Sequence, residues 1–186
     1  MSGATIQLRA VGLSGSPASQ SKSRTLLERA LAVLRSGGAA VTSFDLATLP
    51  ADALLGRARA PELDAALAAV GAAHIVAAAT PVYRAAYTGL LKAFFDLMPQ
   101  DLLQGKVGVP IATGGGPAHS LVVDHALRPL FASVGAATVP TGVYGADAQF
   151  KDGAVDPKLL ALVDAAAAEA LTLARALTAA RGPVAR

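Results

Sequence analysis

Short, almost continuous apolar runs alternate along this chain with longer segments whose apolar residues recur at helical spacing. That alternation restricts the fold more than any other feature. Runs over Thr5–Leu13, Val41–Leu46, His74–Thr80, Lys106–Thr113 and Ala137–Gly145 predict five strands. Ser23–Gly38, Pro61–Ala73, Thr88–Met98, Ala118–Gly135 and Asp156–Arg181 predict five helices. Pro61 followed by acidic residues marks a helix start. Strands that alternate with helices form a parallel sheet, and strands covered on both faces are apolar throughout. The 186 residues hold no internal repeat and no long linker, which predicts a single domain over 1–186. The expected architecture is an α/β three-layer sandwich, flavodoxin-like, with a five-stranded parallel sheet in the order 2-1-3-4-5.

Composition narrows the chemistry. The chain has no cysteine, which excludes disulfides, thiolate catalysis and thiolate-held zinc or iron–sulfur clusters. Redox chemistry would have to come from a non-covalent cofactor. His74, His119 and His125 are too scattered to predict a metal site. A net charge of +3 without a basic run argues against a nucleic-acid partner. No apolar stretch is uninterrupted for a membrane span, and the start of the chain lacks a signal-peptide pattern. The expectation is a cytoplasmic protein.

In a sheet of this order, ligands bind beyond the carboxyl ends of the strands, at the switch point between strands 1 and 3. All three loops there are unusual. "GLSGSPASQSKSR" follows strand 1 and offers hydroxyls at Ser14, Ser16, Ser19, Ser21 and Ser23. It lacks the Walker and dinucleotide glycine spacings. Beside a helix N-terminus, whose first N–H groups have no internal partners, such hydroxyls suit a phosphate monoester. The same serines also suit a helix cap in a polar loop.

"TPVYRAAYTGLLKAFFD" follows strand 3 and holds Tyr83 and Tyr87, two of only three tyrosines. Pro81 forces an abrupt exit from the strand, so Val82, Tyr83 and Arg84 would line the cleft, where an aromatic ring can stack on or edge a planar ligand. A tyrosine packed over a helix end is the alternative. "IATGGGPAH" follows strand 4, and its glycines would let backbone approach a flat ring closely, or would form a plain flexible connector. One phosphate, one planar ring and an adjacent glycine wall together describe FMN.

These loops, with "VVDHALRPLFASVGA", resemble the NADPH-dependent FMN reductase family over nearly the whole chain. Within it the chain is most similar to the reductase components of two-component sulfonate monooxygenases. The resemblance implies an oxidoreductase that uses NADPH to reduce free FMN and hands the reduced flavin to a separate flavin-dependent monooxygenase. It implies phosphate contacts at Ser16, Ser21 and Ser23, with Ser14 beside them. It implies ring contacts at Pro81, Val82, Tyr83 and Arg84, and a glycine loop at Thr113, Gly114, Gly115 and Gly116. No side chain is expected to act as an acid, since solvent can protonate reduced flavin. Arg84 is a candidate for the NADPH phosphates or the flavin edge.

His125 stands where sulfonate-system members carry tyrosine. Pro129 lacks an N–H and leaves the His125 carbonyl without its helical partner. The apolar stripe also slips by about one residue here, as either a π-bulge or a plain proline kink would produce. The resemblance implies a one-residue insertion at a subunit interface, and with it a homo-oligomer, a tetramer in related enzymes. The alternatives are an FMN-bound quinone, azo or chromate reductase, an electron-transfer flavodoxin, or a flavin-free interaction protein of the same fold. Electron carriers of this kind are typically acidic, and this chain is basic.

Overall fold

A computed structural model describes residues 6–180 of the chain. The elements run β1 (Arg9–Ser14), α1 (Lys22–Ser36), β2 (Ala40–Asp45), α2 (Ala51–Leu54), α3 (Pro61–Ala72), β3 (Ile75–Pro81), α4 (Gly89–Asp96) and β4 (Val107–Gly114). They continue through α5 (Arg128–Ala132), β5 (Ala137–Thr138), β6 (Val143–Ala146), β7 (Phe150–Lys151), β8 (Ala154–Val155) and α6 (Pro157–Ala180). The main sheet is parallel with the order β2-β1-β3-β4-β5, and β6 also pairs with β4. This is the flavodoxin-like arrangement that the alternating pattern predicts.

The two faces of the sheet are both buried because side chains alternate along each strand. Ile75, Ala77 and Ala79 of β3 point to the layer of α1 and α6, where Leu26, Leu34, Val163 and Ala167 pack. Val76 and Ala78 point to the opposite layer, with Leu63, Leu91, Phe94 and Phe131 from α3, α4 and α5. Phe95 and Phe131 meet edge to face, with ring centroids 5.5 Å apart.

Several boundaries differ from the sequence expectations. Thr5 and Arg181, at the ends of two predicted elements, lie outside the described residues, and the first strand begins at Arg9. The fifth strand is split: β5 pairs with Val107–Gly108 and β6 with Ile111–Gly114. Pro140 lies in the gap, where a residue without an N–H cannot continue a ladder. The α2 turn and the β7–β8 hairpin were not expected. The segment predicted as one helix over Ala118–Gly135 has three parts. A 3-10 turn spans Pro117–Leu121, a π-helical turn spans Val123–Leu127, and α5 follows. The Arg128 N–H donates to the Val123 carbonyl, five residues back, which is the π-helical bond.

Two predictions follow from this packing. A Cβ built at Gly108 would lie 2.6 Å from the ring of Phe131, which is fully buried. Gly108→Ala should cost about 1–3 kcal/mol in a denaturant melt, because the ring has nowhere to move. At the end of the sheet away from the loops discussed below, the Arg9 N–H donates to His74 Nδ1 at 3.0 Å. Burial lowers the His74 pKa, and the charges of Arg9 and Lys106 lower it further. The folded state therefore binds this proton less readily than the unfolded chain. Its contribution to stability is complete above the unfolded value of about 6.5 and is lost as pH falls below it. The drop in urea midpoint from about pH 7.5 to about pH 5.5 should be smaller in His74→Gln than in the parent.

Candidate functional site

The loops after β1, β3 and β4 meet at the carboxyl edge of the sheet. Ser21 is the N-cap of α1, in an extended conformation, but its side chain makes no capping bond. Its Oγ instead lies 2.9 Å from Ser23 Oγ. The first-turn N–H groups of α1 are thus left to an outside acceptor. Ser16 is buried, and its Oγ accepts the Ala18 N–H at 3.2 Å. The two cations of this turn are both paired. Lys22 Nζ lies 2.8 Å from Asp147 Oδ1. Arg24 pairs with Asp45 at the end of β2, and its Nη1 donates to the Ser19 carbonyl at 3.1 Å.

After β3, the Val82 N–H donates to the Thr113 carbonyl at 2.7 Å, which ties the second loop to the third. Tyr83 and Ala86 then exchange backbone hydrogen bonds of 2.9 and 3.2 Å. Between them Arg84 and Ala85 adopt φ of 52° and 64°. Two successive left-handed residues make a type I′ turn, a conformation that costs L-residues roughly 1–2 kcal/mol each. The turn holds the half-exposed Tyr83 at the mouth of the cleft. Behind it, buried Thr88 caps α4: its Oγ1 accepts the Leu91 N–H at 3.1 Å and donates to the Gly15 carbonyl at 2.6 Å. The Thr88 N–H in turn donates to Thr80 Oγ1 at 3.1 Å.

The glycine loop is shaped by its neighbours. A Cβ at Gly114 would lie 2.8 Å from the Tyr144 hydroxyl oxygen and 3.1 Å from His119 Nδ1, whereas one at Gly116 would meet nothing within 4 Å. The Tyr144 hydroxyl donates to the Gly116 carbonyl at 2.6 Å. Burial, with Asp147 nearby, raises its pKa, which moves ionisation of this donor still further from neutral pH.

These loops enclose a cleft of about 300 Å³. Of the residues expected from sequence, Ser16, Ser21, Pro81, Val82, Tyr83, Thr113, Gly114 and Gly115 line it. Ser14 faces a separate cleft beside Arg24 and Asp45, and Ser23 lies buried behind Ser21. Arg84 and Gly116 stand outside the lining, and Arg84 is exposed. Tyr87 faces a different groove, shared with His125 and Pro129. Lys22 and Asp147 belong to the lining and were missed by sequence reasoning. The donors present fit FMN: hydroxyls and free helix N–H groups at one wall, and a tyrosine with glycine backbone at the other.

A serine-lined helix N-terminus and a glycine loop meet in one cleft at the switch point of this sheet, in a domain of flavodoxin-like fold. The family model for NADPH-dependent FMN reductase matches residues 8–151, which include every residue of the cleft. An FMN reductase (NADPH) of Escherichia coli strain K12 is 40% identical over 146 residues, or 78% of this chain and 76% of the relative. The NADH-dependent FMN reductase SfnF of Pseudomonas fluorescens strain Pf0-1 is 41% identical over 78% of this chain and 80% of its own. A crystal structure of an NADH:FMN oxidoreductase in its apo form superposes with a TM-score of 0.83 at 36% identity, covering 89% of both chains. The chain belongs to the NADPH-dependent FMN reductase family and is an oxidoreductase with FMN and NADPH as its cofactors.

The strained turn yields a test. Ala85→Gly removes the left-handed penalty and should raise stability by about 0.5–1 kcal/mol in a denaturant melt, although glycine usually destabilises. Loss of stability in that variant would contradict the observed turn.

Proposed function

We propose that the protein takes up free FMN as a substrate, reduces it with NAD(P)H and passes it to a partner flavin-dependent monooxygenase. The first-turn N–H groups of α1, with Ser16 and Ser21, would hold the phosphate. Tyr83 and the backbone of Gly114 and Gly115 would border the ring. FMN held there would supply the hydride-accepting chemistry. The chain's own work is to orient the ring, and the Thr88 and Thr80 bonds keep the two walls in register. The observation that carries the reading is the joining of a phosphate-type wall and a ring-type wall in one cleft. The half-exposed Tyr83 leaves the ring side open, which suits a flavin that enters and leaves and a nicotinamide that must reach it. A sulfonate system as the setting is supported by the four motifs that resemble such reductases.

Assembly belongs to the same reading. His125 and Pro129 line a groove of about 410 Å³ with Tyr87 and Phe95, and Leu121 on the adjoining turn is 60% exposed. A homo-oligomer, a tetramer by resemblance, would cover this face, with His125 in its interface and the π-helical turn easing flavin release. Sedimentation as a monomer at micromolar concentration, with and without FMN, would remove this part.

Steady-state oxidation of NADPH and NADH with FMN, FAD or riboflavin as acceptor tests the activity. FMN should give a kcat/KM about tenfold or more above riboflavin, and Ser16→Ala with Ser21→Ala should erase most of that preference. Nicotinamide oxidation that does not depend on added flavin would contradict FMN as a substrate. FMN retained through a desalting column would do the same.

A further inference from the structure

The cleft contains one acidic side chain at the wall where an anion is expected. Asp147 follows β6 and lines the cleft with Ser16, Ser21 and Lys22. Its Oδ1 is 2.8 Å from Lys22 Nζ, and Lys22 is the first residue of α1. The ammonium also sits 5.5 Å from the centroid of the Phe150 ring, at the base of the β7–β8 hairpin. Asp147 is therefore at the helix end that would receive the phosphate.

The pair is built to exchange partners. Its side chains are 42% and 55% exposed, and ion pairs of that exposure contribute only about 0–1 kcal/mol. A phosphate monoester carries a charge of roughly −1.5 to −2 at neutral pH, so it competes well for the same ammonium. The other cation of the turn, Arg24, faces away from the cleft and is held by Asp45 and Ser19. Once Lys22 turns to the phosphate, Asp147 is an unpaired carboxylate facing a dianion.

We propose that Asp147 is a specificity-determining residue that weakens retention of phosphate-bearing flavin, so that FMN leaves after each turnover instead of staying as a prosthetic group. This rests on the reading of the cleft as the FMN site. The repulsion acts on the phosphate alone. It lowers the affinity for FMN without touching riboflavin, and salt screens it.

Fluorescence titration of the purified protein with FMN and with riboflavin tests this without relying on turnover. Asp147→Asn should tighten FMN about three- to tenfold and leave riboflavin unchanged. Asp147→Ser should do the same should the amide introduce new bonds. The gain should shrink as salt is raised. Lys22→Gln should weaken FMN by a similar factor and spare riboflavin. If the parent prefers FMN but Asp147→Asn leaves the FMN-to-riboflavin ratio unchanged or lower, the proposal is overturned while the phosphate site stands. A parallel change for both ligands would show Asp147 acting on the shared part of the flavin, and would also overturn it. A parent and an Asp147→Asn variant that both bind the two flavins equally would remove the phosphate site itself, and the proposal with it.

Discussion

One hydroxyl holds the functional edge of this protein together. Thr88 Oγ1 donates to the Gly15 carbonyl in the loop after β1 and accepts the N–H of Leu91 in the first turn of α4. The Thr88 N–H reaches Thr80 at the end of β3, and the Val82 N–H reaches Thr113 at the end of β4. Three loops that are far apart in sequence are thereby bonded in series. Thr88 is 2% exposed, so its own bonds are shielded from water, and losing one would strand a buried partner.

From that fixed frame the chemistry divides between walls. The β1 loop presents hydroxyls and unpaired helix N–H groups. The β3 loop spends backbone strain at Arg84 and Ala85 to set Tyr83 at the mouth. The β4 loop is pinned by the Tyr144 hydroxyl on Gly116. Strain of this sort concentrates at functional sites because the surrounding bonds over-determine the conformation. On the proposed function the site would need no acid, because its work would be to orient two rings and to exclude other reactions. On the proposed reading charge would then tune how long the flavin stays: of the two cations of the β1 loop, one is paired with Asp45 and the other with the more exposed Asp147.

The sheet order was legible because buried parallel strands are written as unbroken apolar runs, such as Ile75–Pro81. The lining of the cleft was legible in outline because the sheet order brings the loops after β1, β3 and β4 to one edge. Side-chain direction was not. Ser14 and Ser16 are two residues apart, yet only Ser16 lines the cleft, since Ser14 is the last residue of β1 and faces Arg24. The Lys22–Asp147 pair joins residues far apart in the chain, which spacing alone cannot reveal. The β7–β8 hairpin did carry a signal: Asp152-Gly153 is a two-residue turn with φ of 50° and 77°. Its strands are only two residues each, too short for an alternating pattern. At His125 the phase slip and Pro129 were visible, but a kink and a π-turn leave the same trace in sequence.

A crystal structure with FMN bound tests the central claim most directly. The account predicts the phosphate within hydrogen-bond distance of Ser16, Ser21 and the first-turn N–H groups of α1, with the ring between Tyr83 and the Gly114–Gly115 backbone. A flavin in the groove beside His125, or one reversed with its phosphate on the glycine loop, would contradict it.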